Sequence, residues 1–205
     1  MSAPQPAKTN PAPNFFSTYS VILPANLQTA YKIFGTDAGH NRVCHLSRLC
    51  ANLELLEKDE ITLPVPDYPE GRRLSEVSVR TASAATASGG GSTRSKTLTR
   101  QHFVLEETVS LIFGLFKKKV KIVGTLTWDD SVLSSSSASS SEDDPPAEAL
   151  YESLSGSGGI LVWKLRTFEK VDGEPDKTRV TERIEGWAPA LLRSIVQNVT
   201  TVEHQ

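Results

Sequence analysis

The chain is short of the residues that most often announce a chemistry. It holds four histidines and two cysteines in 205 residues. His40 and His45 are five apart and do not align on one helical face, and His102 and His204 stand alone, so no spacing suits a metal. There is no Gly-x-Ser-x-Gly elbow and no Ser-His-Asp signature, and nothing calls for a cofactor. Cys44 and Cys50 have no metal-like companions and read as reduced, buried thiols of a cytosolic protein. An excess of one charge is also missing: 22 Lys+Arg against 24 Asp+Glu leave a net −2, which gives nucleic acid no electrostatic hold. No apolar run approaches the ~18–20 residues of a membrane span, and MSAPQPAKTNPAPNFF carries no apolar core of a signal peptide. The expectation is a cytoplasmic protein with no integral membrane association. Asn198-Val199-Thr200 matches a glycosylation sequon that should then stay unmodified. The oligomeric state is left open.

Large apolar residues are also thin on the ground. The hydrophobic fraction is 38%, low for a wholly globular chain of this size, so part of the chain should lie outside the core. Three stretches fit that role. Residues 1–14 are rich in Pro and Ala and read as a disordered tail. ASAATASGGGSTRSK (82–96) and SVLSSSSASSSEDDPPAE (131–148) read as flexible loops between strands. Ser139 to Ser141 precede Glu142-Asp143-Asp144, which would suit an acid-directed kinase, though an unmodified solvated loop is the commoner meaning. What remains, 15–205, reads as one domain.

Within it, Phe15–Leu23 is rich in aromatic and β-branched residues and predicts a strand ended by Pro24. Asn26 is a good N-cap for a helix placing Leu27, Ala30, Tyr31 and Phe34 on one face, with Gly35 stopping it. A second short helix is expected over His40–Leu49. Strand texture follows at Ala51–Leu63, Arg72–Thr81, Leu98–Phe113, Lys119–Trp128, Ala149–Leu154, Ile160–Val171 and Lys177–Trp187, joined by turns, which implies an antiparallel meander. Pro189 opens a last helix whose Leu192, Ile195, Val196, Val199 and Val202 recur at helical spacing. Such a stripe needs an apolar partner, and the concave face of the sheet is the expected one.

This order of elements resembles the helix-grip fold of the START, birch-pollen-allergen and polyketide-cyclase superfamily. The local texture is similar too: LFKKKVKIVGTLTW, then GGILVWKLRTFEKV, a turn, KTRVTERIEGWAP and the helix. The chain also resembles uncharacterised fungal members of that superfamily. The resemblance implies an α+β domain: a curved antiparallel sheet of seven or eight strands around a long C-terminal helix, with two short helices after the first strand. It also implies an apolar ligand, such as a lipid, sterol, polyketide or terpenoid-like molecule, in a cavity between sheet and helix.

Strand alternation nominates the lining. Phe103, Leu105 and Val109 share a face with Glu107; Ile122, Leu126 and Trp128 point together around Gly124. Trp163 and Leu165 form the apolar side of their strand, against Lys164 and Arg166. Val180 and Ile184 share a face with Glu182, and Leu192, Ile195 and Val199 come from the last helix. Glu107 and Glu182 are the candidate proton-transfer groups, because a carboxylate on an apolar face has a raised pKa. A structural pairing of either with a neighbouring Arg is the competing reading, since a one-residue bulge would flip its side chain.

Three functions stay open. The first is a carrier or sensor of an apolar small molecule. The second is a cofactor-independent cyclase, dehydratase or isomerase using a cavity carboxylate. The third is a protein-interaction module with a filled interior. The lack of a catalytic motif favours the first.

Overall fold

A computed structural model of the chain describes residues 10–64, 73–76, 79–80, 95–111, 116–134, 146–156 and 159–202. Its strands are β1 (Phe15–Leu23), β2 (Cys50–Pro64), β3 (Ser95–Leu111), β4 (Phe116–Trp128), β5 (Ala147–Ser155), β6 (Leu161–Val171) and β7 (Glu174–Trp187). The helices are α1 (Leu27–Phe34), α2 (Asp37–Leu46), the short α3 (Ser131–Ser134) and α4 (Ala190–Val202). The seven strands form one antiparallel sheet in the order β1-β7-β6-β5-β4-β3-β2. The meander predicted from the turns is therefore present, and the first strand closes against the last.

Local chemistry sets the helix ends. Asn26 Oδ1 accepts the Thr29 N–H at 2.9 Å, and the Gly35 N–H closes α1 on Tyr31 O at 2.7 Å. Thr36 Oγ1 caps α2 by accepting from Ala38. Both helices lie on one face of the sheet. Ala30 and Tyr31 of α1 pack on Leu126, Trp128, Ala149, Phe168 and Val180. The Tyr31 hydroxyl donates to Glu148 O at 2.9 Å and accepts the Asp129 N–H at 3.0 Å. Burial of such side chains contributes roughly 1.5–3 kcal/mol each.

The opposite face is covered as well. The described residues of the stretch 72–81, expected as a strand, instead form a 3-10 turn at Leu74–Glu76 and, at Val79 and Arg80, lie outside any ladder. Leu74 and Val79 are buried, as is Trp163 on β6. The segment's main chain is held by side chains of the sheet, so its fate is decided by long-range partners that no local pattern reports.

The C-terminal helix is shorter than expected, with 13 residues, or ~20 Å at ~1.5 Å each. It sits beside β1: Gln197 accepts the Phe16 N–H at 3.3 Å and donates to Phe16 O at 3.1 Å, and Val196 packs on Phe15, Ile184 and Ala188. The concave-face seat expected for it is taken in part by α1 and α2. Asn14, assigned to the tail from sequence, is tied down. Its Nδ2 donates to Ala188 O at 2.8 Å and its Oδ1 accepts the Ala188 N–H at 3.0 Å. Residues 1–9, 81–94 and 135–145 lie outside the described residues, so the tail and loop expectations there have no structural counterpart. Residue 146 and β5 from Ala147 belong to the described part, which trims the end of the predicted 131–148 loop; its start forms α3.

Candidate functional site

The helix-covered face is organised in cross-strand rows. One row reads Phe103, Gly124, Ser153, Val162, Gly186, Phe15 from β3 to β1. Its two glycines are required by close approach. A Cβ on Gly124 would lie 2.4 Å from the Phe103 ring, and one on Gly186 would lie 1.9 Å from the Phe15 ring. Two aromatic rings thus fold inward over glycine from either side, and Ser153 and Val162 lie between them in the row. The row runs from α2, whose His40 contacts Phe103, to α4, whose Val196 packs with Phe15.

The neighbouring rows carry charge. Tyr151, Lys164 and Ile184 stand side by side, then Ala149, Arg166 and Glu182. Lys164 Nζ is 3.2 Å from Glu182 Oε1, and Arg166 Nε donates to Glu182 Oε2 at 2.6 Å. Arg166 Nη1 also donates to Phe34 O at 2.7 Å, so this guanidinium fastens the C-terminal end of α1, where a cation is favoured. Lys164 stands 5.6 Å over the Tyr151 ring. Tyr151 stacks on Phe103 at 5.2 Å, and His40 completes the aromatic group at 5.0 Å from Phe103 and 5.9 Å from Tyr151.

Electrostatics keep several of these groups neutral. His40 is pushed down to about 4, first by burial and then by Arg166 and Lys164. The Cys44 thiol, beside the His40 ring, is pushed up to about 11 by burial and by Cys50. A neutral imidazole next to a neutral thiol lacks the thiolate needed for nucleophilic chemistry. Burial also raises the Tyr151 phenol, partly offset by its hydrogen bond with Ser153. Both cysteines are free and partly buried. Among the described residues no three His, Cys, Asp or Glu side chains gather as a metal site, and no helix is long and apolar enough to cross a membrane.

Phe103, Leu105, Ile122, Leu126, Trp128, Val180 and Ile184 all lie on the helix-covered face, spread over three packed clusters. Leu126, Trp128 and Val180 are sealed beneath α1, whereas Ile184 is part of the α4 cluster. Val109 is on the same face toward the end of β3, opposite Lys118. Glu107 and Glu182 share this face too; Glu107 pairs across the ladders with Cys50 and Val120. Leu192 is partly buried, and the side chains of Ile195 and Val199 lie outside the described residues.

Trp163 and Leu165 are the exceptions, since they point to the other face. Trp163 stands in a row with His102, Thr125, Glu152 and Glu185. The expectation equated the apolar side of β6 with the helix side. Both faces are covered, however, and β6 gives its apolar side to the 73–80 segment and its cations to Glu182. Lys164, Arg166, His40 and Tyr151 were therefore passed over as site residues. The usable signal was the i, i+2 spacing of Lys164 and Arg166, which puts two cations on one strand face next to a strand carrying Glu182. No known protein family matches the chain, and no curated protein is significantly similar to it.

Proposed function

We propose that the protein is a carrier or sensor that holds one amphipathic small molecule on the helix-covered face, between α2 and α4, and that its fold is a helix-grip variant. The β1-β7-β6-β5-β4-β3-β2 order, with two helices after β1 and one after β7, supports the fold reading. One observation carries the functional reading: the row in which Ser153 and Val162 stand between two inward-folded rings, with Lys164, Arg166 and Glu182 in the rows beside it. An apolar trough with a few fixed polar groups at its rim is the usual composition of a small-molecule site. The cyclase or dehydratase reading would need Glu182 or Glu107 to move a proton. Glu182 is engaged by two cations, an arrangement that serves anchoring, so the carrier reading is preferred.

The test uses an anionic naphthalene probe and the intact protein. One probe should bind per chain, with its own emission enhanced by transfer out of water. Ser153→Phe, which puts a third ring into the row, should weaken binding at least tenfold while the fold persists. Overpacking at such a site costs about 1–3 kcal/mol. If the probe fails to bind and native mass spectrometry of the purified protein finds no retained molecule, the reading falls.

A further inference from the structure

The polar border of the helix-covered face is not electrically balanced. Lys164 and Arg166 face a single carboxylate, Glu182, which leaves one positive charge in excess. The other groups around this end do not cancel it. His40 on α2 is neutral, held down by burial and then by these two cations. Asp37 on the same helix is paired with Lys58. Glu107 stands further along β3, opposite Val120, beyond the Phe103 row. A cation drawn out of water without a full complement of negative charge is costly. This end of the site therefore favours the arrival of one anion.

The two cations differ in what they have left to give. Arg166 is committed: its Nε donates to Glu182 and its Nη1 to Phe34 O, which ties it to the end of α1. Lys164 is not. An ammonium carries three N–H donors. Among the described residues the polar contact of Lys164 is Glu182 Oε1 at 3.2 Å, and its other contact is the Tyr151 ring. Its side chain is 23% exposed, against 8% for Glu182, so an incoming group reaches the lysine before the carboxylate. Lys164 also follows Val162 on the same face of β6, about 6.5 Å away at two residues of strand rise. The ring beneath its ammonium stacks on Phe103. A molecule lying along Val162 between the Phe103 and Phe15 rings presents one end to this ammonium.

We propose that the ligand is a singly charged amphipathic acid, its carboxylate received by Lys164 and its apolar body laid along Val162. This deepens the carrier or sensor reading and rests on it. Hydrogen bonds between an ammonium and a carboxylate are stronger than neutral ones, and a monoanion supplies the one missing charge. An amine would have to take Glu182 from two cations, and an uncharged alcohol leaves the excess in place.

The experiment loads the intact protein with the uncharged probe N-phenyl-1-naphthylamine and displaces it with octanoate or with octanol, which share an apolar body and differ in head group. Octanoate should displace the probe at a concentration roughly tenfold below that of octanol, as a charge-assisted contact requires. In Lys164→Met, which keeps an apolar stem, octanoate should lose that advantage while octanol and the probe bind as before. Should that variant unfold, the order of the two competitors on the parent protein still decides. Equal displacement, or octanol ahead, overturns this inference and leaves the carrier reading standing. Octanoate favoured equally by the parent and by a folded Lys164→Met overturns it too, because the carboxylate is then received elsewhere. A protein that binds neither this probe nor the anionic one loses both readings.

Discussion

At the scale of single residues, His40 is the most informative group. Its ring is 5% exposed, and its pKa drops from 6.5 to about 4 through burial, then through Arg166 and Lys164 facing it from β6; Asp37 on its own helix acts in the other direction. A base whose folded pKa lies below the unfolded value loses stability on acidification, because the unfolded chain takes up the proton first. The contribution is complete above pH 6.5 and is lost as pH falls toward 4, with a ceiling of ~3 kcal/mol at 1.36 kcal/mol per unit. Glu148, raised by burial, has the opposite sign in part of this window. Asp59, held below its usual range by Arg100, acts only in more acid solution. Comparison of urea denaturation for parent and His40→Phe isolates the histidine: the variant's stability should fall less between pH 6.5 and 4.5.

Gly124 makes a second residue-scale case. An added Cβ meets the Phe103 ring at 2.4 Å and Glu152 O at 2.5 Å, one of them backbone, whereas at Gly156 it meets only Lys121 O at 3.7 Å. Gly124→Ala should cost about 1–3 kcal/mol or more, and Gly156→Ala should cost little. Thermal unfolding of the two variants side by side decides it. A Gly124→Ala protein as stable as Gly156→Ala would mean that Phe103 can swing clear.

At the scale of elements, most strands could be read from the chain because turns punctuate them and their apolar residues alternate. Which face each strand gives to the helices could not. Val171 pairs with Glu174, yet Lys170 pairs with Thr178, so the β6–β7 hairpin has three unmatched residues on β7. An odd number of extra residues exchanges the two faces of a strand. That irregularity brings Arg166 opposite Glu182. The β3-β4-β5-β6 ladders carry no register shift, so Trp163 and Leu165 face away from Phe103 and Leu126 because β6 turns its apolar side to the other covered face. Val180 and Ile184 lie on the helix side because β7 gives that side its apolar residues. The 72–81 stretch was misread for a different reason: RRLSEVSVR has strand-like residues, but the main chain at Leu74 and Val79 is held by Glu185, Glu152 and Arg100 from distant positions.

The docking of α4 gives the element-scale prediction. Gln197 occupies the outer hydrogen-bonding positions of Phe16 on the edge strand. Both bonds are exposed, so Gln197→Ala should cost no more than about 1 kcal/mol in chemical denaturation, while exchange at the Phe16 amide should accelerate well beyond that of its neighbours. An unchanged Phe16 rate would show that α4 holds the edge by its apolar contacts alone.

At the scale of the whole molecule, a sheet buried on both faces explains how a chain with a low hydrophobic fraction makes a domain. Three apolar clusters share the helix side, while the other side is closed by a polar network around Trp163. Its strand order also has a temporal consequence. Ser20 of the first strand meets Thr181 of the last, 161 positions later. At ~5–20 residues per second, a ribosome needs roughly 8–30 s to deliver that partner. Throughout that interval FFSTYSVIL emerges as an aromatic, β-prone segment with its intended neighbour still unmade. The nascent chain must be shielded by its own early helices or by cellular chaperones until the sheet can be closed.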